Sequence, residues 1–145
     1  MKKVLLVEDS ELVRSIVNDA LQTCFPCVTT AVEDGEQAWE ELSSNSYDLV
    51  VTDIIMPVMD GMSLVRKIRD ELASDIPVIM MTSLTDDKAR ESAFEAGANA
   101  YVTKPVDYNQ LIEVVDKLVL PEIDHDEEEP VLLKDAVEED EESEG

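Results

Sequence analysis

Five side chains with complementary chemistry lie at the ends of the apolar segments of this sequence. They are three carboxylates (Glu8, Asp9 and Asp53), the hydroxyl of Thr82 and the ammonium of Lys104. Converging carboxylates repel one another unless a hard cation such as Mg²⁺ binds them, since such cations take oxygen ligands. A hydroxyl and an ammonium beside them would bind the oxygens of a phosphoryl group. The set predicts metal-assisted phosphoryl transfer, with one oxygen of Asp53 left free to react.

Each of these residues also has a simpler interpretation when it is taken alone. Asp9, or Ser10 after it, could cap a helix N-terminus, and Lys104 could be a solvated surface lysine. Asp53 is the least ordinary member, because it ends the β-branched run Val50–Thr52 and is followed by more aliphatic residues. A buried charge of that kind is costly unless something compensates it. The interpretation therefore depends on whether the fold brings the five residues together.

The hydrophobic periodicity predicts five alternating strands and helices within about 120 residues. Strands are predicted at residues 4–7, 28–32, 48–53, 77–81 and 99–103, and helices around residues 12–21, 35–44, 64–72, 89–96 and 111–119. Most of the strands are continuous apolar runs, which is typical of strands covered on both faces. The second is more polar and is expected near an edge. Five such units predict an α/β domain with a parallel sheet, whose ligands bind beyond the carboxyl ends of the strands.

The charge is strongly acidic and unevenly distributed. The net charge is −24, and residues 121–145 contribute 13 acidic residues and one lysine. Such a chain repels nucleic acid and anionic membranes, so we expect neither as a partner. No apolar run has the roughly 20 residues of a membrane span, and no secretory signal is evident, so a cytoplasmic location is expected.

The chain resembles the receiver domain of two-component response regulators. The motifs that carry the resemblance are Val7-Glu8-Asp9-Ser10, the segment Asp53-Ile54-Ile55-Met56-Pro57-Val58-Met59-Asp60-Gly61, Met81-Thr82-Ser83, and Ala100-Tyr101-Val102-Thr103-Lys104-Pro105. Each motif is weak alone, but their order and spacing match the family. The resemblance implies a receiver domain at residues 1–120 with a doubly wound, flavodoxin-like fold. Its five parallel strands would lie in the order 2-1-3-4-5, with five helices.

The resemblance also implies a phosphoacceptor. Asp53 would accept a phosphoryl group from the phosphohistidine of a sensor histidine kinase or a histidine phosphotransfer protein. Glu8, Asp9 and Asp53 would hold Mg²⁺, with the backbone carbonyl of Ile55 as a further ligand. Glu8 stands where the family often has a second aspartate, and this variant is expected to keep the metal but to change its affinity. The protein would not be an enzyme beyond catalysing its own phosphorylation and slow dephosphorylation.

The remaining motif residues would convert phosphorylation into a signal. In the family Thr82 would bond a phosphoryl oxygen, Lys104 would pair with another, and Tyr101 would follow Thr82 inward. The movement would reshape the face made by the fourth helix, fifth strand and fifth helix, which is the expected contact surface for an output protein. A cis peptide is expected between Lys104 and Pro105.

Two apolar positions bear on how long the phosphoryl group survives. In this family the residues two after the acceptor aspartate and two after the threonine flank the path of attacking water. Here they are Ile55 and Leu84. Because neither side chain can orient water by hydrogen bonding, we expect a relatively long-lived acyl phosphate.

The segments outside these motifs have less specific interpretations. Residues 121–145 are expected to be a disordered acidic tail, although Val131-Leu132-Leu133 could dock on a basic partner. No effector domain follows the receiver in this sequence, so we expect either that it acts alone through protein contacts or that the chain is cut from a longer protein. The initial methionine suggests a natural N-terminus. The Cys24-Phe25-Pro26-Cys27 segment follows a predicted helix rather than opening one, so structural thiols are expected rather than a redox pair.

Three alternatives to a phosphorylation-switched signalling protein differ in testable ways. A phosphorelay intermediate or phosphate sink would use the same chemistry without an output partner. An aspartyl-phosphate phosphohydrolase needs a second aspartate where this chain has Ile55. A flavin-binding carrier on a similar fold needs a Ser/Thr/Gly phosphate loop where this chain has Glu8-Asp9-Ser10-Glu11.

Overall fold

A computed structural model describes residues 1–119, in which five strands alternate with five helices. The strands are β1 (Lys2–Val7), β2 (Cys27–Val32), β3 (Leu49–Thr52), β4 (Val78–Thr82) and β5 (Ala100–Thr103). The helices are α1 (Glu11–Cys24), α2 (Gly35–Ser44), α3 (Gly61–Asp70), α4 (Asp87–Ala96) and α5 (Tyr108–Val119). The predicted tail, including Val131-Leu132-Leu133, lies outside the described residues.

All strand pairings are parallel, and the strands lie in the order β2-β1-β3-β4-β5. The predicted fold class and strand order are therefore confirmed, and the polar second strand lies at an edge. The order reverses between β1 and β3, which are neighbours with Val7 opposite Thr52. In doubly wound folds the ligand site lies beyond the carboxyl ends of the strands at this switch point.

Strand side chains alternate between two separate cores, because successive residues of a strand point to opposite faces of the sheet. Leu5, Val7, Val50 and Met80 face the core covered by α2, α3 and α4. Val4, Leu6, Val51, Ile79 and Met81 face the core covered by α1 and α5. Burial on both faces explains why four of the five strands are near-continuous apolar runs.

Helix starts are fixed by side-chain caps close to the carboxyl edge of the sheet. Ser10 accepts a hydrogen bond from the N–H of Val13 at the start of α1, and Asp60 accepts one from Ser63 at the start of α3. Asp86 at the start of α4 makes no such bond, and the other end of α4 is closed by Gly97 with φ of 121°. The last turn of α4 is therefore closed at a residue type that tolerates this backbone conformation.

The opposite edge of the sheet is held by one guanidinium. Arg69 donates hydrogen bonds to the backbone carbonyls of Ser74, Ile76 and Gly97 and to the side chain of Asn99. These bonds join the α3–β4 loop and the α4–β5 loop to the end of α3. Hydrogen bonds from a charged donor are stronger than neutral ones, so the guanidinium stabilises these part-buried loops.

Two details differ from the sequence pattern. Leu12 and Ile16 have helical spacing on α1, but they are exposed, and only Val17 and Leu21 of that stripe are buried. Helix α3 ends at Asp70, so Leu72 lies beyond it. The two cysteines are free thiols at the end of α1 and the start of β2, and their structural rather than redox role remains a prediction. The Lys104–Pro105 peptide is cis, as expected. No helix within residues 1–119 is long and apolar enough to cross a membrane.

Candidate functional site

Three carboxylates converge where β1 and β3 end side by side. Glu8 and Asp9 follow β1 directly, and Asp53 follows β3 directly. One oxygen from each carboxylate lies within 4.8 Å of the others. Glu8 and Asp53 are buried, while Asp9 is exposed. The convergence predicted from the sequence is therefore present in the fold.

Lys104 supplies the positive charge that faces the two buried carboxylates. It follows β5, two strands away from β3, and its Nζ lies 2.8 Å from Asp53 Oδ2 and 2.8 Å from Glu8 Oε1. Burial acts to lower the pKa of Lys104, but the hydrogen bonds and charges of Asp53 and Glu8 outweigh it and raise the pKa above its ordinary value. The ammonium therefore stays charged and offsets the cost of burying Asp53.

Backbone N–H groups hold the other oxygens of the same carboxylates. Asp53 Oδ1 accepts hydrogen bonds from Ile54 at 2.6 Å and Ile55 at 3.3 Å. Glu8 Oε2 accepts one from Ser10 at 3.0 Å. Because each donor is within two residues of its acceptor, the loops after β1 and β3 fix the carboxylate directions locally.

Two further residues support these loops: Arg14, which the sequence analysis did not single out, and Gly61, which belongs to the motif that begins at Asp53. Arg14 Nη1 on α1 donates to the backbone carbonyl of Glu8 at 2.8 Å. Gly61 begins α3, and a Cβ at this position would overlap the carbonyl oxygen of Asp53 and lie 2.9 Å from Ile54 Cα. The Asp60-Gly61 pair was a possible signal for the second feature. Nothing in the sequence pattern predicts the bond from Arg14 to a backbone carbonyl.

Thr82 and Tyr101 lie in a connected group beside the carboxylates. Thr82 is the last residue of β4 and is fully buried, and its Oγ1 accepts a hydrogen bond from the N–H of Leu84 at 3.3 Å. Tyr101 is also buried, and its hydroxyl donates to the carbonyl of Leu84 at 2.9 Å. Burial raises the pKa of Tyr101. Leu84 therefore links the two residues at which the sequence predicts a switch.

The acidic cluster suits a hard divalent cation. Its donors are all carboxylate oxygens, which are the ligands that Mg²⁺ and Ca²⁺ prefer. Glu8 is fully buried, and the partner of its Oε1 is the ammonium of Lys104 at 2.8 Å. Glu8, Asp9 and Asp53 can therefore hold such an ion, and the buried oxygen of Glu8 has capacity for one more partner.

Ile55 occupies a different environment from the rest of the set. Its side chain is 55% exposed, beside the buried carboxylate of Asp53. Ile55 therefore lies at the edge of the site rather than in the core. That its backbone carbonyl binds metal remains a prediction.

The sequence and the fold both match known proteins. The family model described as "Response regulator receiver domain" matches residues 4–116. The chemotaxis protein CheY of Halobacterium salinarum is 38% identical over 72% of this chain and 85% of that protein. The gliding motility regulatory protein of Myxococcus xanthus is 36% identical over 80% of this chain, and the match spans only 15% of that protein. The regulatory protein VanRB of Enterococcus faecalis is 36% identical, with 52% of its length matched.

Solved structures give the same result. The receiver domain of the Francisella response regulator 1452 has a TM-score of 0.77 at 28% identity, covering 83% of this chain and 98% of that one. The receiver domain of the Pseudomonas aeruginosa sensor histidine kinase PA1611, solved with a magnesium ion in its active-site cleft, has a TM-score of 0.74 at 30% identity, covering 81% and 97%. The chain therefore belongs to the response regulator receiver domain family.

Proposed function

We propose that this protein is a response regulator whose Asp53 accepts a phosphoryl group from a phosphohistidine. The observation that carries the proposal is the contact of 2.8 Å between Lys104 Nζ and Asp53 Oδ2 beside the carboxylates of Glu8 and Asp9. This arrangement gathers a nucleophile, a cation and an oxygen-rich metal site within one cleft. Phosphoryl transfer depends chiefly on positioning and charge neutralisation, and these residues supply both.

The metal would be Mg²⁺, held by Glu8, Asp9, Asp53 and the backbone carbonyl of Ile55. When bound, it would supply charge neutralisation for the phosphoryl oxygens and the acceptor. The magnesium ion in the cleft of the PA1611 receiver domain supports this choice. The three carboxylates of this chain, with oxygens within 4.8 Å of one another, support it independently.

In the proposed reaction, an oxygen of Asp53 forms a bond to phosphorus as the bond between phosphorus and the donor imidazole nitrogen breaks. The electron pair of the broken bond stays on the imidazole nitrogen, and the product is an acyl phosphate. Lys104 would pair with a phosphoryl oxygen instead of the free carboxylate. Thr82 would release the N–H of Leu84 and bond another phosphoryl oxygen.

The signal would pass to an output protein through the face made by α4, β5 and α5. The link on which this step rests is Leu84, which contacts both Thr82 and the Tyr101 hydroxyl. A sensor histidine kinase or a histidine phosphotransfer protein would be the donor, and residues 1–120 would form the receiver. A role as a phosphate sink would use the same site, and the two roles differ in whether any protein prefers the phosphorylated form. The cytoplasmic location remains a prediction.

The test is incubation with acetyl phosphate and Mg²⁺, followed by intact-mass measurement. The wild type should gain the mass of one phosphoryl group, and Asp53→Asn should not. Asp60→Asn is the matched control, since Asp60 is a carboxylate of the same loop and asparagine also caps helices well. That control should be labelled like the wild type. A mass gain in both wild type and Asp53→Asn, or in neither, would contradict the assignment.

A further inference from the structure

A groove lies between the ends of α2 and α3, at the amino edge of the sheet, where the strands begin. This α2–α3 groove has a volume of about 260 Å³, and its apolar wall is formed by Leu42, Tyr47, Ile68, Leu72 and Ile76. Leu72 is 36% exposed there. Since a cavity of roughly 150 Å³ holds a benzene-sized group, the groove has room for an aliphatic side chain. Filling it would remove apolar surface from water.

The end of α5 lies on the same edge of the sheet and is connected to the groove by two lysines. Val119 ends α5, and it lines one small apolar depression together with Lys2 at the start of β1. The next residue, Lys3, places its Nζ 5.7 Å from the centre of the Tyr47 ring, which lines the groove. A path along the amino edge therefore leads from Val119 over Lys2 and Lys3 to the α2–α3 groove.

The sequence that follows Val119 carries its chemistry in the order of this path. Residues 122–129 contain six carboxylates and no lysine or arginine, and Val131-Leu132-Leu133 comes directly after Pro130. Val131 is 12 residues beyond Val119, and an extended chain of that length spans about 40 Å at roughly 3.3 Å per residue. Neighbouring strands are only about 4.8 Å apart. The apolar triplet can therefore reach the groove while the acidic run crosses the two lysines.

The charges at the rim of the groove match the residue after the triplet. Lys134 is the only basic residue beyond Val119. At the rim, Glu41 Oε1 accepts hydrogen bonds from Tyr47 and Asn45. Asp75 is exposed between two residues that line the groove. An acidic run, an apolar triplet and a lysine thus face a lysine pair, an apolar groove and acidic residues in the same order.

We propose that Val131-Leu132-Leu133 docks in the α2–α3 groove of its own chain, with residues 122–129 lying over Lys2 and Lys3. Exposed ion pairs contribute little free energy, so the charges orient the segment and burial of the triplet stabilises the contact. The attachment at Val119 also favours it, because a tether gives the segment an effective concentration on the order of millimolar. This docking site is distinct from the acidic cluster and does not rest on the proposed function.

The first experiment measures thermal unfolding of full-length variants. Leu132→Ser should lower Tm by about 3 °C, because it removes apolar surface buried in the groove. Val137→Ser is the matched control, since it changes an aliphatic residue of the same segment outside the triplet, and it should shift Tm by less than about 1 °C. In a Leu72→Ser chain, Leu132→Ser should also cost less than about 1 °C, because the two contacts are coupled. Equal effects of Leu132→Ser and Val137→Ser would overturn the proposal.

The second experiment measures proximity directly. A nitroxide attached to Asp135→Cys, in a chain that also carries Cys24→Ser, broadens the amide resonances of residues near it. Ser46 and Ser74, which line the groove, should lose more intensity than Ser15, which is exposed on α1. Leu132→Ser should remove the difference. Equal losses at all three serines, or losses unchanged by Leu132→Ser, would contradict docking.

A mixture of two samples distinguishes the chain's own segment from that of a second copy. Nitroxide-carrying protein without ¹⁵N is mixed with ¹⁵N-labelled protein without the nitroxide, so that only contacts between chains broaden resonances. We expect no selective loss at Ser46 and Ser74 in this mixture. Losses as large as those within one chain would assign the groove to a second copy and overturn the proposal.

Discussion

The ammonium of Lys104 lies 2.8 Å from Glu8 Oε1, as close as it lies to the acceptor carboxylate. Glu8 reaches the lysine with one oxygen, while its other oxygen accepts the N–H of Ser10. The two buried carboxylates therefore share one cation. The balance of charge at this site depends on Lys104 when no metal is bound.

We predict that Lys104→Met destabilises the metal-free protein by about 3 kcal/mol, because removing the cation leaves two buried carboxylates uncompensated. Urea unfolding at pH 7 in the presence of EDTA would measure the loss. Adding Mg²⁺ should recover more stability in the variant than in the wild type, since the ion neutralises the same carboxylates. Lys67→Met is the control, because Lys67 on α3 pairs with Glu71 just beyond that helix, and the loss of this exposed pair should cost ~1 kcal/mol or less. Equal losses for both variants would contradict the shared-cation interpretation.

We predict that Gly61→Ala displaces the backbone of the acceptor residue, Asp53. A Cβ at this position would overlap the carbonyl of Asp53, so the loop must shift, at a cost of about 2 kcal/mol. Labelling by acetyl phosphate should slow as well, because the displaced carbonyl belongs to the acceptor residue. Ser63→Ala, two residues along the same helix, should change the unfolding free energy by less than about 0.5 kcal/mol. Unchanged stability and labelling in Gly61→Ala would contradict the prediction, because the loop would then accommodate the Cβ without displacing Asp53.

We predict that Tyr101 makes the fold less stable at alkaline pH. Burial raises its pKa above the ordinary value of 10.0. Below that value both states hold the proton, and the contribution of the buried phenol is fully present. As pH rises, the unfolded chain loses the proton first, so stability falls until pH passes the folded pKa, with a slope of at most about 1.4 kcal/mol per pH unit. Tyr101→Phe should therefore show a shallower decline of the unfolding free energy above pH 10.

The measurement is urea unfolding between pH 7 and pH 11.5. At pH 7 the variant should lose about 1 kcal/mol, from the hydrogen bond to the carbonyl of Leu84. Tyr47 provides an independent comparison, since burial and its hydrogen bond to Glu41 also raise its pKa. The unfolding free energy of a Tyr47→Phe/Tyr101→Phe double variant should fall even less with pH above pH 10. Parallel curves for the wild type and Tyr101→Phe would contradict the prediction.

The sequence predicts the convergence of Glu8, Asp9, Asp53 and Lys104 because the topology of a parallel sheet determines it. In a parallel sheet every strand ends at the same edge, so residues that follow β1, β3 and β5 must converge. Contacts between a side chain and a distant carbonyl follow no such pattern. The bonds of Arg14 and Arg69 therefore became visible only in the structure. The sequence pattern also does not predict the exposure of Leu12, since a helical stripe can be wider than the face that packs. Nor does it predict the positive φ of Val58 in the loop between β3 and α3.

We predict that the acyl phosphate on Asp53 persists for minutes or longer without a phosphatase, because neither Ile55 nor Leu84 can orient an attacking water. The exposure of Ile55 beside the buried acceptor makes it the better position to test. Ile55→Asn would place a hydrogen-bonding group there and should speed hydrolysis about tenfold, since positioning a reacting water contributes substantially to such rates. Val28→Asn controls for a general effect of asparagine at an exposed aliphatic position. The decay of phosphorylated protein, followed by intact mass after removal of acetyl phosphate, measures both rates. A wild-type half-life of seconds, or equal decay in the wild type and Ile55→Asn, would show that water is positioned by other groups.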